Sequence, residues 1–255
     1  MKPNLLPFIG EKWAGVPQPT TDFAGKTVLV TGANVGLGFE AAAKFTALNA
    51  DKVILAVRNI SKGAAAQRQI EQRTHLVVTS EAHRWLEEKD LPDPGPYGGS
   101  ILKAVNAKPA DGKSWDGMLQ NGRSKLFAMY VIQGLAELAN APAGESQVIA
   151  TSVCPGACKS ELVRDFKSAG LGYLIALKIF DVLFNKTAEE GARVYVSAAA
   201  LGSEAHGCWY KTTAITKPGD FVTSSKGQEL QQKVWGEVVD VLKMRVPEVE
   251  ALASR

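Results

Sequence analysis

A run of β-branched and aliphatic residues, KTVLVT over 26–31, passes straight into the turn Gly32-Ala33-Asn34-Val35-Gly36-Leu37-Gly38, and a helical stretch follows over 34–49. A strand with almost no polar position suits burial on both faces, which a parallel sheet covered by helices provides. Glycines in the turn permit backbone angles closed to other residues and let main-chain N–H groups approach a ligand closely. The helix that opens there adds the partial positive charge of its N-terminus. Strand, turn and helix in this order make an anion site suited to a pyrophosphate. Its candidate contacts are Gly32, Asn34, Val35, Gly36, Leu37 and Gly38.

The same alternation continues along the chain. KVILAV over 52–57 reads as a second buried strand, 61–73 as a helix and HLVVTS over 75–80 as a third strand. The stretch 81–120, dense in Pro and Gly, reads as an irregular excursion with short helical pieces, and loops of that length usually serve a function. A long helix over 122–140, a strand over 147–153 (QVIATSV) and a helical flap over 161–186 follow. Thr187-Ala188-Glu189-Glu190 has the spacing of a capping box and opens a helix to about Leu201. A short strand near 208–211 and a closing helix over 225–244 complete the chain. Strands alternating with helices predict an α/β fold, a doubly wound parallel sheet in a single Rossmann-like domain over 1–255. In that division 1–24 is an N-terminal extension, 161–186 the flap and 225–255 the C-terminal helical segment.

Composition narrows the function. The chain has 255 residues, enough for a sizeable core, and 29 Lys and Arg against 26 Asp and Glu, with no basic stripe. A net charge of +3 does not make a phosphate-tracking surface, so nucleic acid is not expected as a partner. Cys154, Cys158 and Cys208 cannot all pair, and no cluster has metal-ligand spacing, so neither a disulfide scaffold nor a metal site is expected. The start, MKPNLLPFIGEKW, lacks a secretory apolar run, which points to a reducing, cytoplasmic setting. The longest apolar stretch, 171–184, is shorter than the ~20 residues of a membrane-spanning helix and contains Lys178 and Asp181.

The spacing Gly-x-x-x-Gly-x-Gly after Thr31 resembles the short-chain dehydrogenase/reductase family, in its fungal and retinol-dehydrogenase-like branch. The resemblance covers roughly 25–201 and implies further roles. In that family the residue closing the second strand selects the cofactor; AVRN puts Arg58 there, and a guanidinium forks well onto a ribose 2′-phosphate, which implies NADP(H). HLVVTSEAHRW resembles the strand carrying the family's serine, so Ser80 is the candidate donor to the substrate oxygen. Asn121-Gly122-Arg123-Ser124-Lys125 resembles the Tyr-x-x-x-Lys motif, with Lys125 at the head of a helix and placed for the nicotinamide ribose. Ser152-Val153-Cys154-Pro155-Gly156-Ala157-Cys158 resembles the loop that touches the nicotinamide, giving Pro155, Gly156 and Cys158 as candidates. An apolar small-molecule substrate under the flap, a role in secondary metabolism and a homodimer through the long helices are what the family habit implies.

The sequence departs from that pattern twice. Asn121 stands where the family has its proton-donating tyrosine, and an amide does not titrate. Tyr130, five residues past Lys125, faces about 140° away on a helix, and Tyr97 lies in the irregular excursion. Between Arg73 and His75, moreover, the second helix joins directly to the serine strand, where the family has two strands and their helices. A sheet that closes without them has the order 2-1-3-4-5 of flavodoxin-like folds, although helix 61–73 offers only Ala64, Ala65, Ala66 and Ile70 for burial. His83 and Trp85, just past Ser80, read as strand-exit packing or as base and stacking platform. Two functions stay open: an NADP(H)-dependent oxidoreductase with catalytic Ser80, Asn121 and Lys125, or a redox-inactive relative. The second would be a small-molecule binder, a cofactor-free isomerase or cyclase, or a truncated splice product.

Overall fold

The strand read over 26–31 forms, but not with both faces buried: Val28 and Val30 point into the core, Leu29 is half-buried and Thr27 and Thr31 are exposed, and the second strand has no fully buried residue. β1 (Thr27–Thr31) alternates accordingly, with Val28 0% and Val30 3% exposed. The computed structural model describes residues 15–58, 86–108, 116–139, 149–159 and 171–246 with Val249, and of 171–177 the backbone only. α1 (Gly36–Ala47) follows the glycine turn, and β2 (Lys52–Ala56) lies parallel to β1 in the register Thr27↔Lys52 to Thr31↔Ala56. Bonds from Asp51 N to Lys26 O and from Gly32 N to Ala56 O, each 2.9 Å, extend that ladder at both ends. The architecture is α/β with a parallel pair of strands, as the alternation expects. Helix 61–73, strand 75–80 and the 2-1-3-4-5 order lie outside the described residues.

By contacts the chain divides into two units. The first holds β1, α1, β2 and α5 (Ala188–Ala199), with the loop after Val153. α5 starts at the capping box read from sequence: Glu190 N donates to Thr187 Oγ1 at 3.1 Å, and Thr187 N donates to the Glu190 carboxylate at 2.8 Å. Ala41, Ala42 and Phe45 of α1 and Ala192, Val194 and Val196 of α5 share one buried core with Val28 and Val30. Phe23 lies edge-on to Phe45, centroids 5.1 Å apart, and Val16 is 4% exposed. The end of the N-terminal extension is therefore core. It is tied down by Arg193, which donates to Val16 O at 2.6 Å and forks onto Glu189, itself bonded to Lys44.

The second unit is helical around α3 (Gly117–Ala139) and α7 (Ser225–Lys243), with the short helices α2 (Ile101–Asn106) and α6 (Asp220–Thr223). α3 and α7 approach at Gly134, where an added Cβ would sit 2.3 Å from the Trp235 ring. Glu237 of α7 accepts from Ile101 N, Leu102 N and Ser100 Oγ at 2.8, 3.0 and 2.7 Å, capping α2. Burial would raise that carboxyl, but these bonds outweigh it and hold it below the ordinary range. Over its described residues 86–108 the expected excursion contains short pieces, two 3-10 turns at Glu88–Asp90 and Gly95–Tyr97 and then α2, whereas its last residues, from Gly117, already belong to α3. β3 (Ser152–Cys154), β4 (Trp209–Lys211) and β5 (Ala214–Thr216) make a sheet of order β3-β4-β5. α4 (Leu171–Phe184) is the described part of the flap, and no described helix is long and apolar enough to cross a membrane.

The Glu189 carboxyl is held down to about 2, first by the Arg193 guanidinium and then by Lys44. Its folded value lies below the ordinary 4.5, so its contribution is full above that pH and is lost as pH falls toward 2. Glu189 is partly exposed and the effect is screened to about 1 kcal/mol or less. Glu189→Gln should lower the thermal midpoint at neutral pH and flatten its decline between pH 4.5 and 2; an unchanged slope would assign acid sensitivity to other carboxylates.

Candidate functional site

The turn after β1 is built from main chain. Gly32 (φ +65°) and Gly36 (φ +59°) hold left-handed backbone that a side chain would strain. No side chain caps the first turn of α1, and that turn contains no acidic residue. Its N–H groups and partial positive charge therefore face no negative side chain of their own. Gly38 lets the helix settle on the turn: an added Cβ would lie 2.5 Å from Gly32 O and 2.9 Å from Gly32 C. A glycine turn packed this closely on an uncapped helix N-terminus, with open space around Gly32 and Gly36, is the form a pyrophosphate site takes, and the residues present fit that group. Asn34 and Leu37 are half-buried, whereas Val35 is exposed.

Arg58 lies two residues beyond β2. Because Thr31 pairs with Ala56 and Gly32 N bonds Ala56 O, this exposed side chain leaves the sheet at the same edge as the glycine turn. In open α/β sheets that carboxyl edge is where ligands bind.

The loop after β3 belongs to the same unit. Gly156 is left-handed (φ +78°), and Cys158 forms a parallel bridge with Lys186. Gly191, on the first turn of α5, joins loop and turn: a Cβ there would lie 2.4 Å from Leu37 Cδ2 and 2.7 Å from Cys158 Sγ. The structure thus brings Leu37 and Cys158 onto one glycine, a meeting that sequence reasoning missed. A signal was present, since Gly inside a helix costs roughly 1 kcal/mol against Ala and so marks a close approach.

Asn121 and Lys125 lie in the second unit, half-buried and one turn apart on α3. The helix starts at Gly117, with Leu119 N donating to Asp116 Oδ1 at 2.9 Å, so Lys125 sits in its third turn and not at its head. Asn121 O accepts from Ser124 Oγ at 2.8 Å. Tyr130 is fully buried, its hydroxyl has no partner among the described residues, and burial pushes the phenol up from its ordinary value. That is the reverse of what a proton donor near neutral pH needs. Tyr97 ends a 3-10 turn and is half-buried. Ser80, His83 and Trp85 lie outside the described residues. Among the described residues no three His, Cys, Asp or Glu side chains gather as a metal site, and Cys154, Cys158 and Cys208 form no disulfide.

No protein-family profile matches the chain. It is 32% identical to the short-chain dehydrogenase/reductase phmF of Phaeosphaeria nodorum, across 94% of this chain and 93% of that one. It is 31% identical to the short-chain dehydrogenase/reductase ffsI of Aspergillus flavipes, across 92% and 91%. A short-chain type dehydrogenase/reductase from Mycobacterium ulcerans superposes with a TM-score of 0.44 at 16% identity, across 85% and 99%. The alignment with the Phaeosphaeria protein runs over 316 positions, 61 more than the 255 residues of this chain. That relative therefore carries at least 61 internal residues with no counterpart here.

Gly38→Ala drives a Cβ into the Gly32 carbonyl and should cost about 1–3 kcal/mol, the range of an overpacked site. Chemical denaturation checks this; a change below a few tenths of a kcal/mol would mean that α1 shifts freely away from the turn.

Proposed function

The chain belongs to the short-chain dehydrogenase/reductase family, and on that premise we propose that it binds NADP(H) and exchanges hydride with a carbonyl or secondary alcohol of an apolar molecule. The observation that carries this reading is the glycine turn, where left-handed Gly32 and Gly36 and the close approach of Gly38 to the Gly32 carbonyl set main chain at an uncapped helix N-terminus with no acidic residue in its first turn. In this reading Gly32, Asn34, Val35, Gly36, Leu37 and Gly38 hold the pyrophosphate. Arg58 takes the 2′-phosphate, a charge-assisted contact that a neutral or acidic residue would not supply. Pro155, Gly156 and Cys158 face the nicotinamide, Lys125 holds its ribose, and Ser80 donates to the substrate oxygen. When bound, the nicotinamide supplies or accepts the hydride at the substrate carbon. Reduction also needs a proton on the oxygen. Asn121 orients but does not titrate, so the proton comes from water and turnover is slow.

A second reading has its own support. Asn121 in the tyrosine's place, together with the internal residues that the Phaeosphaeria relative has and this chain lacks, favours a protein that keeps a small-molecule site without redox chemistry. We assign the missing stretch to the junction between Arg73 and His75.

Calorimetric titration with NADPH during thermal unfolding separates the readings. Saturable binding that raises the melting temperature, by RT ln(1 + [L]/Kd), supports the dinucleotide site. A flat titration removes it. Arg58→Ala should weaken NADPH by about 10- to 100-fold and leave NADH nearly unchanged, the size of one lost charge-assisted contact. Asn121→Tyr should raise carbonyl reduction; no gain would favour the redox-inactive reading.

A further inference from the structure

Lys186 stands between α4 and α5 and is 2% exposed, the one buried charged side chain among the described residues. Its backbone runs beside the loop after β3: its N–H donates to Ala157 O and its carbonyl accepts from Lys159 N, each at 2.9 Å. Its side chain returns to the same loop, where Nζ donates to Pro155 O at 3.4 Å. No carboxylate among the described residues pairs with it. Burying a lysine without an acidic partner is costly, and an apolar side chain of similar volume would stabilise the core better. The position therefore calls for a reason other than stability.

The reason lies in the peptide it holds. The described chain contains no cis peptide bond, and in a trans peptide the carbonyl and the following N–H point in opposite directions. Drawing Pro155 O toward Lys186 sends the Gly156 N–H away from the buried lysine. The left-handed turn at Gly156 then brings Ala157 O back to Lys186 N. One residue thus gathers two carbonyls of the loop on its inner side and leaves the intervening N–H on the outer side.

We propose that Lys186 is a positioning residue: it fixes the Pro155–Gly156 peptide so that the Gly156 N–H is presented outward, ready for the nicotinamide end of the cofactor. The proposal rests on the dinucleotide reading above. It deepens that reading by giving the loop's geometry a cause on another segment.

NADPH and 2′,5′-ADP, which has the adenine-side phosphates and no nicotinamide, are titrated into wild type, Lys186→Met and Lys186→Arg. The methionine variant should bind NADPH about tenfold more weakly, as for one lost positioning bond, with 2′,5′-ADP unchanged and the arginine variant largely restored. NADPH binding equal to wild type overturns the proposal, and so does equal loss of both probes, which would mean that the whole unit has loosened. A second measurement uses no cofactor: the alkylation rate of half-buried Cys158, mapped by mass spectrometry, should rise in Lys186→Met and fall back in Lys186→Arg. Equal rates overturn the loop-holding role, and Lys186→Gln replaces the methionine variant if that does not fold. If wild type binds neither probe, the dinucleotide reading fails and takes the ligand half of the proposal with it. The alkylation rates still decide whether Lys186 holds the loop.

Discussion

The first unit depends on two close approaches to backbone that only glycine permits. At Gly38 the first turn of α1 rests on the carbonyl of Gly32, and at Gly191 the first turn of α5 rests on Leu37 and Cys158. These contacts gather the first turns of two helices and the loop after β3, at Gly38 through main chain and at Gly191 through the side chains of Leu37 and Cys158. The core beneath is made of the small residues that such proximity demands: Ala33, Ala41, Ala42 and Ala192 are all at most 1% exposed. Larger side chains at those positions would push the helices away from the strand and from each other. The glycine pattern is therefore both a place of close packing and the candidate anion site, and a change made for either purpose alters the other.

What was legible in the sequence was local. β1 could be read because VLV between polar neighbours has one way to be buried, and the start of α5 because Thr187 and Glu190 satisfy each other's backbone within four residues. The start of α3 was missed. Asp116 bonds Leu119 N, as a capping residue does, but it follows a Pro- and Gly-rich stretch and was read with it as irregular. β5 escaped too, since its pairing with β4 rests on a left-handed Thr212 (φ +58°), a conformation that Thr rarely adopts and no sequence rule assigns to it. On α7 the buried face is set by Gln231, Val234 and Val239, whereas Val241 and Leu242 are 40% and 39% exposed. Lys186 gave no signal, for its role exists only once Pro155 and Ala157, some thirty residues earlier, lie beside it.

The two halves of the proposed chemistry differ in what they are made of. A dinucleotide cradle of glycines and main-chain N–H groups survives most substitutions elsewhere, because its donors belong to every residue. Proton transfer needs one side chain with one pKa at one place, and a single replacement removes it. In the proposed site Asn121 is that replacement, and the phenol on the same helix, Tyr130, is buried with its proton held more tightly than usual. A chain under weaker demand for turnover would lose the second function before the first. For that reason the glycine turn speaks for binding, and only α3 can speak for catalysis.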